Sequence, residues 1–168
     1  MPSRLLILRE NDGKIIRGDD DEQIHGTYSR VMTYLVDAPA PQLVAEAFVR
    51  GEQRRELALT EFRGSWLVVA LAARRGDILE LAELEEAFAA DGAVVVAATS
   101  DDWYATAFAY ASTAVRFPIL TGVEESRRVT LVVDPGGVLR HAGLHRSGRE
   151  TLAMLEAFIL GGKARLAA

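Results

Sequence analysis

Asp77 and Glu80 stand three positions apart at the head of a run that places Leu81, Leu84 and Phe88 on one helical face. Two carboxylates so placed can divide general acid and general base work between them. The same four residues, Asp77-Ile78-Leu79-Glu80, also have the spacing of a capping box with Asp77 as the cap. Losing such a cap costs about 0.5–2 kcal/mol. Nothing else in the chain completes an acid/base site around the pair, so capping is the expected role. His141 and His145 are four apart, a spacing that suits a metal pair on a helix, but they fall on a strand end and in a loop. Surface or hydrogen-bonded structural roles are expected for both, and for His25.

Other residues that invite chemistry have simpler roles. Ser147-Gly148-Arg149-Glu150 reads as a second capping box. Asp134-Pro135-Gly136-Gly137 is turn chemistry. Trp103, Tyr104, Phe108 and Tyr110 could line a pocket, but aromatics at this spacing are expected in the core. No glycine loop for phosphate and no nucleophile–histidine–acid set is evident. The arginine pairs Arg54–Arg55, Arg74–Arg75 and Arg127–Arg128 read as solvated surface or local salt bridges.

Composition narrows the classes further. The 168 residues, 49% of them apolar, suffice for one core without covalent staples. The chain has 0 cysteines, which excludes disulfides, thiolate catalysis, iron–sulfur clusters and cysteine-rich zinc sites. No cofactor or metal is implied. A net charge of −5 gives no electrostatic reason to bind nucleic acid or anionic lipid. The N-terminus lacks the apolar core of a signal peptide and no apolar run reaches membrane-spanning length, so a soluble cytoplasmic protein is the default.

Positioning these residues requires an α/β scaffold. Residues 4–9 and 14–17 read as a strand pair around Asn11-Asp12-Gly13. Asp19, Asp20 and Asp21 then offer caps for a helix with Ile24, Tyr28, Val31, Met32 and Leu35 on one face. This strand–strand–helix extension, residues 1–36, is too small to be stable alone and must dock on the main body or on another subunit. Ala38-Pro39-Ala40-Pro41 opens a second region, 37–168. Its expected elements are a hairpin (43–49 and 56–59), strands at 66–72, 93–98, 130–133 and 138–142, and helices at 78–90, 103–112 and 149–160. Continuous apolar strands alternating with amphipathic helices imply a central mixed sheet covered on both faces.

Over residues 37–160 the order of motifs resembles the peroxiredoxins of the alkyl hydroperoxide reductase and thiol-specific antioxidant family. Ala38-Pro39-Ala40-Pro41 with Phe48 is similar to the family's Ala-Pro-x-Phe opening, the aromatic being displaced. Residues 59–69, Leu-Thr-Glu-Phe-Arg-Gly-Ser-Trp-Leu-Val-Val, resemble Leu-Ser-Asp-Phe-Arg-Gly-Lys-Trp-Val-Val-Leu. Ala98-Thr99-Ser100-Asp101 and Phe117-Pro118-Ile119-Leu120 resemble Val-Ser-Thr-Asp and Phe-Pro-Leu-Leu. Residues 128–141 follow Arg-Ala-Thr-Phe-Ile-Ile-Asp-Pro-Asp-Gly-Val-Ile-Arg-His, and Gly148-Arg149 precedes the last helix as in the family. The resemblance implies a thioredoxin-like fold, a central mixed β-sheet flanked by helices, here carrying the N-terminal β-β-α extension.

The resemblance also locates a loss. Where the family carries Pro-x-x-x-Thr-x-x-Cys, an ungapped count places Arg74 on the proline, Asp77 on the threonine and Glu80 on the cysteine; Arg128 corresponds to the pocket arginine. A carboxylate cannot be oxidised as a thiolate is, and Met1, Met32 and Met154 lie far from the motif in sequence. The implied protein is a non-catalytic peroxiredoxin-like pseudoenzyme with degenerate pocket positions Arg74, Asp77, Glu80 and Arg128. Besides capping, Glu80 could bridge to Arg128 where the thiolate would sit. The expected role is structural, accessory or regulatory, through protein partners or a homodimer, with residues 1–36 a candidate contact segment. The alternatives are an enzyme of another class around Asp77, Glu80 and Arg128, or an antioxidant protein that works with a partner's thiol.

Overall fold

The structure is a computed structural model that describes residues 34–166. The expected extension therefore lies outside the described residues except for positions 34–36. From Val44 onward the elements run β1 (Val44–Phe48), β2 (Arg55–Ala58), a 3-10 turn (Leu59–Phe62), β3 (Trp66–Leu71), α1 (Arg75–Glu83) and α2 (Glu85–Ala90). They continue with β4 (Ala93–Ala98), α3 (Trp103–Tyr110), β5 (Ile119–Leu120), β6 (Val129–Val133), β7 (Leu139–Leu144) and α4 (Gly148–Leu166).

The strands form one mixed sheet in the order β2-β1-β5-β4-β3-β6-β7. β3, β4 and β5 are parallel, while β6 lies antiparallel on β3 and β7 on β6. The short strand β5, which the sequence shows only as the Phe117–Leu120 segment, joins the hairpin β1–β2 to the parallel centre. Period-two alternation divides the strand residues between two apolar layers. Leu67, Val69 and Leu71 of β3 join Val96, Ala98, Leu131 and Val133 in one layer. Val68 and Ala70 join Val95, Ala97 and Val132 in the other.

Among the described residues the side chains of α1–α4 enter the second layer. Ile78 and Leu81 of α1, Phe88 of α2, Tyr110 of α3 and Leu155 of α4 all pack there. Met154 lies at its margin, as its place in the last helix predicts. Against the first layer pack Leu59 and Phe62 of the 3-10 turn and the loop residues Tyr34, Ala40, Leu43 and Val123. Among the described residues α1–α4 all pack on one face of the sheet, while the 3-10 turn and loop residues pack on the other.

The helix expected at 78–90 starts three residues earlier and breaks at Leu84 into α1 and α2. The early start follows from the turn after β3. Ala72 has φ of 50°, a left-handed conformation that an L-residue with a Cβ adopts at a cost, and it swings the chain off the sheet within three residues. Replacing Ala72 with glycine should therefore raise stability by about 0.5–1 kcal/mol, after allowing for glycine's greater unfolded entropy. Thermal unfolding should show Tm rising by roughly 1–4 °C. A fall in Tm would mean that the methyl group's packing outweighs the backbone strain.

Candidate functional site

β3 delivers the chain to the head of α1, and β6 and β7 form the wall beside it. Residue 74 is the helix cap, and an arginine has no acceptor to offer an exposed helix amide. Asp77, at the third helical position, bonds the first turn instead: Arg74 N donates to its Oδ2 at 2.9 Å. Asp77 is thus not the cap that the sequence suggests. β3 ends at Leu71 and the sharp turn at Ala72 starts the helix before the aspartate is reached.

Arg128 stands immediately before β6 and aims its guanidinium at the same carboxylate. Its Nε donates to Asp77 Oδ2 at 3.0 Å, and its Nη2 donates to Oδ1. This two-pronged pair is the strong form of a charge-assisted hydrogen bond. The Asp77 side chain is 12% exposed and that of Arg128 33%. Burial works against ionising Asp77, but the amide of Arg74, the guanidinium of Arg128 and the imidazole of His145 outweigh it. Together they hold the carboxyl below its usual range.

Glu80 takes no part in this arrangement. The bridge from Glu80 to Arg128 weighed from the sequence does not form; Asp77 takes the Nε–Nη2 edge of the guanidinium. Glu80 lies half-buried one turn further along α1, beside the start of α4. A Cβ built on Gly148 would lie 3.4 Å from Glu80 Cδ and 2.9 Å from Leu84 Cδ1, so α4 approaches α1 closely at a residue without a side chain. Ser147 caps α4 as expected, its Oγ accepting from Glu150 N at 3.1 Å. Of the four positions named by the resemblance, the structure brings Arg74, Asp77 and Arg128 together and leaves Glu80 apart.

A residue expected in a structural role joins them. His145 follows β7, and its side chain is 2% exposed. Its Nδ1 lies 2.7 Å from Thr130 Oγ1, while Nε2 stands 3.6 Å from Asp77 Oδ1 without a hydrogen-bond partner. The direction of the bond to the threonine hydroxyl follows the tautomer of the imidazole. His145 N also donates to Arg128 O at 2.9 Å, which makes the two residues opposite neighbours across the β6–β7 pair. A register shift beside Val133 creates that neighbourhood. Counting outward from the Asp134–Gly137 turn without a bulge puts Leu144 opposite Arg128. Thr130 carries a weaker signal, as the one hydroxyl in the apolar strand Val-Thr-Leu-Val-Val.

Around this centre, Arg75 Nη1 donates to Ala109 O at 2.9 Å, and Arg75 Cζ lies 5.6 Å from the Tyr110 ring centroid. Burial pushes the Tyr110 phenol up, with Arg75 opposing. His141 is half-buried on β7, where burial and the charge of Arg146 push its imidazole down. No cluster of metal-ligating side chains occurs among the described residues. The core expectation for the α3 aromatics holds for Tyr110 and for Trp103, which sits edge-on to Phe48. It fails for Tyr104 and Phe108, which are 69% and 93% exposed. On this short helix only one side meets the sheet, and those two residues, one turn apart, point away from it.

The sheet order and the strand-to-helix turn define a thioredoxin-like fold of the peroxiredoxin type. Comparison with solved structures agrees. The reduced 2-Cys peroxiredoxin of Plasmodium vivax aligns with a TM-score of 0.67 at 18% identity, over 76% of this chain and 98% of that one. The AhpC of Enterococcus faecalis aligns with a TM-score of 0.67 at 15% identity, over 76% and 94%. The mitochondrial 2-Cys peroxiredoxin of Plasmodium falciparum gives 0.65 at 14%, over 74% and 94%. At these identities the likeness is one of fold. No protein-family model matches the sequence, and no curated protein does.

Removing one partner of the Asp77–Arg128 pair should expose its worth. Arg128→Ala leaves a nearly buried carboxylate with a single backbone donor. It should cost about 1–2 kcal/mol in urea unfolding at neutral pH, below the range for fully buried charge pairs because the guanidinium is partly solvated. Asp77→Asn keeps an acceptor and should cost less. The folded Asp77 titrates below its unfolded value of about 3.9. Its contribution is therefore complete above that value and is lost as pH falls through the folded pKa. The stability gap between wild type and Asp77→Asn should close in acid; a gap that persists unchanged there would contradict this account.

Proposed function

We propose that this chain is a non-catalytic peroxiredoxin-like protein, a cytoplasmic pseudoenzyme that serves as a structural, accessory or regulatory interaction subunit. One observation carries the reading: the Asp77 carboxylate already fills the anion-binding cradle made by the head of α1 and Arg128. In a thiol peroxidase of this fold such a cradle serves a reactive anion. Here it is closed by a group that cannot be oxidised to a sulfenic acid, in a chain with 0 cysteines. In this reading Arg74, Asp77, Glu80 and Arg128 are the remains of a pocket, and Asp77 has become its internal ligand.

The surface for association is α3. Phe108 and Tyr104 present adjoining aromatic area to solvent, and the Arg54 guanidinium lies 5.5 Å from the Tyr104 ring centroid. Aromatic residues with a neighbouring arginine are typical of the buried centre of protein interfaces. A homodimer through this face fits the pairing that the resemblance implies, with residues 1–36 the other candidate.

A second reading, an enzyme of another class, draws on His145, whose buried Nε2 faces Asp77 without a hydrogen bond. It is weakened by the turning of Glu80 toward Gly148. Two measurements test the first reading. The purified protein should consume no peroxide above the buffer rate, with or without added thiol. A turnover abolished by His145→Gln with folding intact would overturn it. In sedimentation, Phe108→Glu should shift the protein toward monomer mass; a mass equal to that of wild type would exclude α3 as the pairing face.

A further inference from the structure

We propose that Trp103, Tyr104 and Glu46 form a receptor for an arginine side chain of a partner protein, a receptor that Arg54 of the same chain occupies here. The proposal rests on the reading of α3 as the association surface and names the chemistry that this surface recognises. The rings of Trp103 and Tyr104 meet edge to face, 5.5 Å apart at 87°, and make an open corner. The Arg54 guanidinium stands over both rings, 5.9 Å from the Trp103 centroid and 5.5 Å from that of Tyr104. Both separations lie within reach of cation–π attraction. The Glu46 carboxylate accepts from Arg54 Nε at 2.8 Å and from Nη2 at 2.7 Å. The carboxylate thus reads a fork of two N–H donors while the rings take the planar cation. A lysine ammonium lacks that fork.

The corner does not depend on its present occupant. Trp103 is fixed from within the fold: its Nε1 donates to Ala47 O of β1 at 3.2 Å, and its ring meets Phe48 edge-on. Tyr104 follows on the first turn of α3, which Asp102 caps by accepting from Ala105 N at 2.8 Å. Glu46 belongs to β1. Arg54, by contrast, lies in the loop before β2, and its side chain and that of Glu46 are 44% and 41% exposed. An exposed ion pair holds its members only modestly, so the arginine can leave while the receptor stays built. The corner is also too open for a free small molecule, which needs most of its surface enclosed. Phe108, one turn beyond Tyr104, adds exposed aromatic area beside it. An arginine held by a partner's own backbone suits such a site, with Phe108 covering the partner's neighbouring apolar side chains.

The chain's 2 tryptophans make the site visible by NMR, since Trp66 stacks on Phe158 and serves as an internal reference. In the full chain, Arg54→Ala removes the occupant. The peptide acetyl-Leu-Arg-Leu-amide should then shift the Trp103 indole N–H resonance saturably and leave that of Trp66 in place. Wild type should bind the same peptide roughly tenfold more weakly, because Arg54 keeps most of its receptors filled. Adding Glu46→Gln or Tyr104→Ala to Arg54→Ala should also weaken binding several-fold. So should replacing the peptide's arginine with lysine, or the peptide with butylguanidinium. A shift that does not saturate, equal shifts of both indoles, or equal affinity in wild type and Arg54→Ala would overturn the proposal. Butylguanidinium binding as tightly as the peptide would overturn it as well, by making the corner a small-molecule site. A wild-type mass for Phe108→Glu speaks only to pairing of two copies through α3; the Trp103 resonance reads this corner whatever the mass.

Discussion

A carboxylate held between a helix head and an arginine organises this end of the molecule. Asp77 bonds the backbone at Arg74, which secures the first turn of α1, and accepts both prongs of Arg128, which ties that turn to β6. Through Arg128 O and the amide of His145 the same contact reaches β7. One side chain thus joins three elements that are distant in sequence, and its charge is compensated on the spot. The helix dipole, the amide and the guanidinium all favour the anion, so desolvation of Asp77 does not leave an isolated buried charge.

That closure also explains the position of Glu80. With the guanidinium committed to Asp77, a second carboxylate one turn along α1 has no cation to meet in the cradle. Its stem packs instead where Gly148 lets α4 approach. A glutamate there keeps its polar end near the start of α4 while its methylene groups fill space, as long charged side chains commonly do at the rim of a core. The two acidic residues that stand out together in the sequence therefore belong to different structural tasks.

The fold was largely legible because its signals are local. The runs Trp66–Leu71, Ala93–Ala98 and Val129–Val133 are apolar at every position but Thr130, which reads as buried strand. The Asp134–Gly137 turn fixes a hairpin between β6 and β7. The short β5 was not legible as a strand, since two residues carry no periodicity and only pairing with β1 and β4 defines them. The site was legible in part. Aspartate is a favoured cap, so local preference puts the helix start at Asp77. The left-handed Ala72 and the distant Arg128 override it, and neither effect has a local pattern. His145 lies in the loop after β7, as its sequence position suggests, but the bulge that sets it opposite Arg128 has no local pattern.

His145 shows why the pocket is better described as closed than as empty. In an open anion site the buried Nε2 would face solvent or ligand. Here Thr130 Oγ1 lies 2.7 Å from Nδ1 and the ring is buried, with the Asp77 carboxylate 3.6 Å from Nε2. That separation is too long for a hydrogen bond and short enough for the charge to orient the ring. A general base needs a path from its proton to a substrate. Asp77 stands across that path and is itself anchored from two sides, so an opening for substrate would have to break the contact that ties α1 to β6. The interaction that stabilises this end of the fold thereby also fixes what lies in front of the His145 ring.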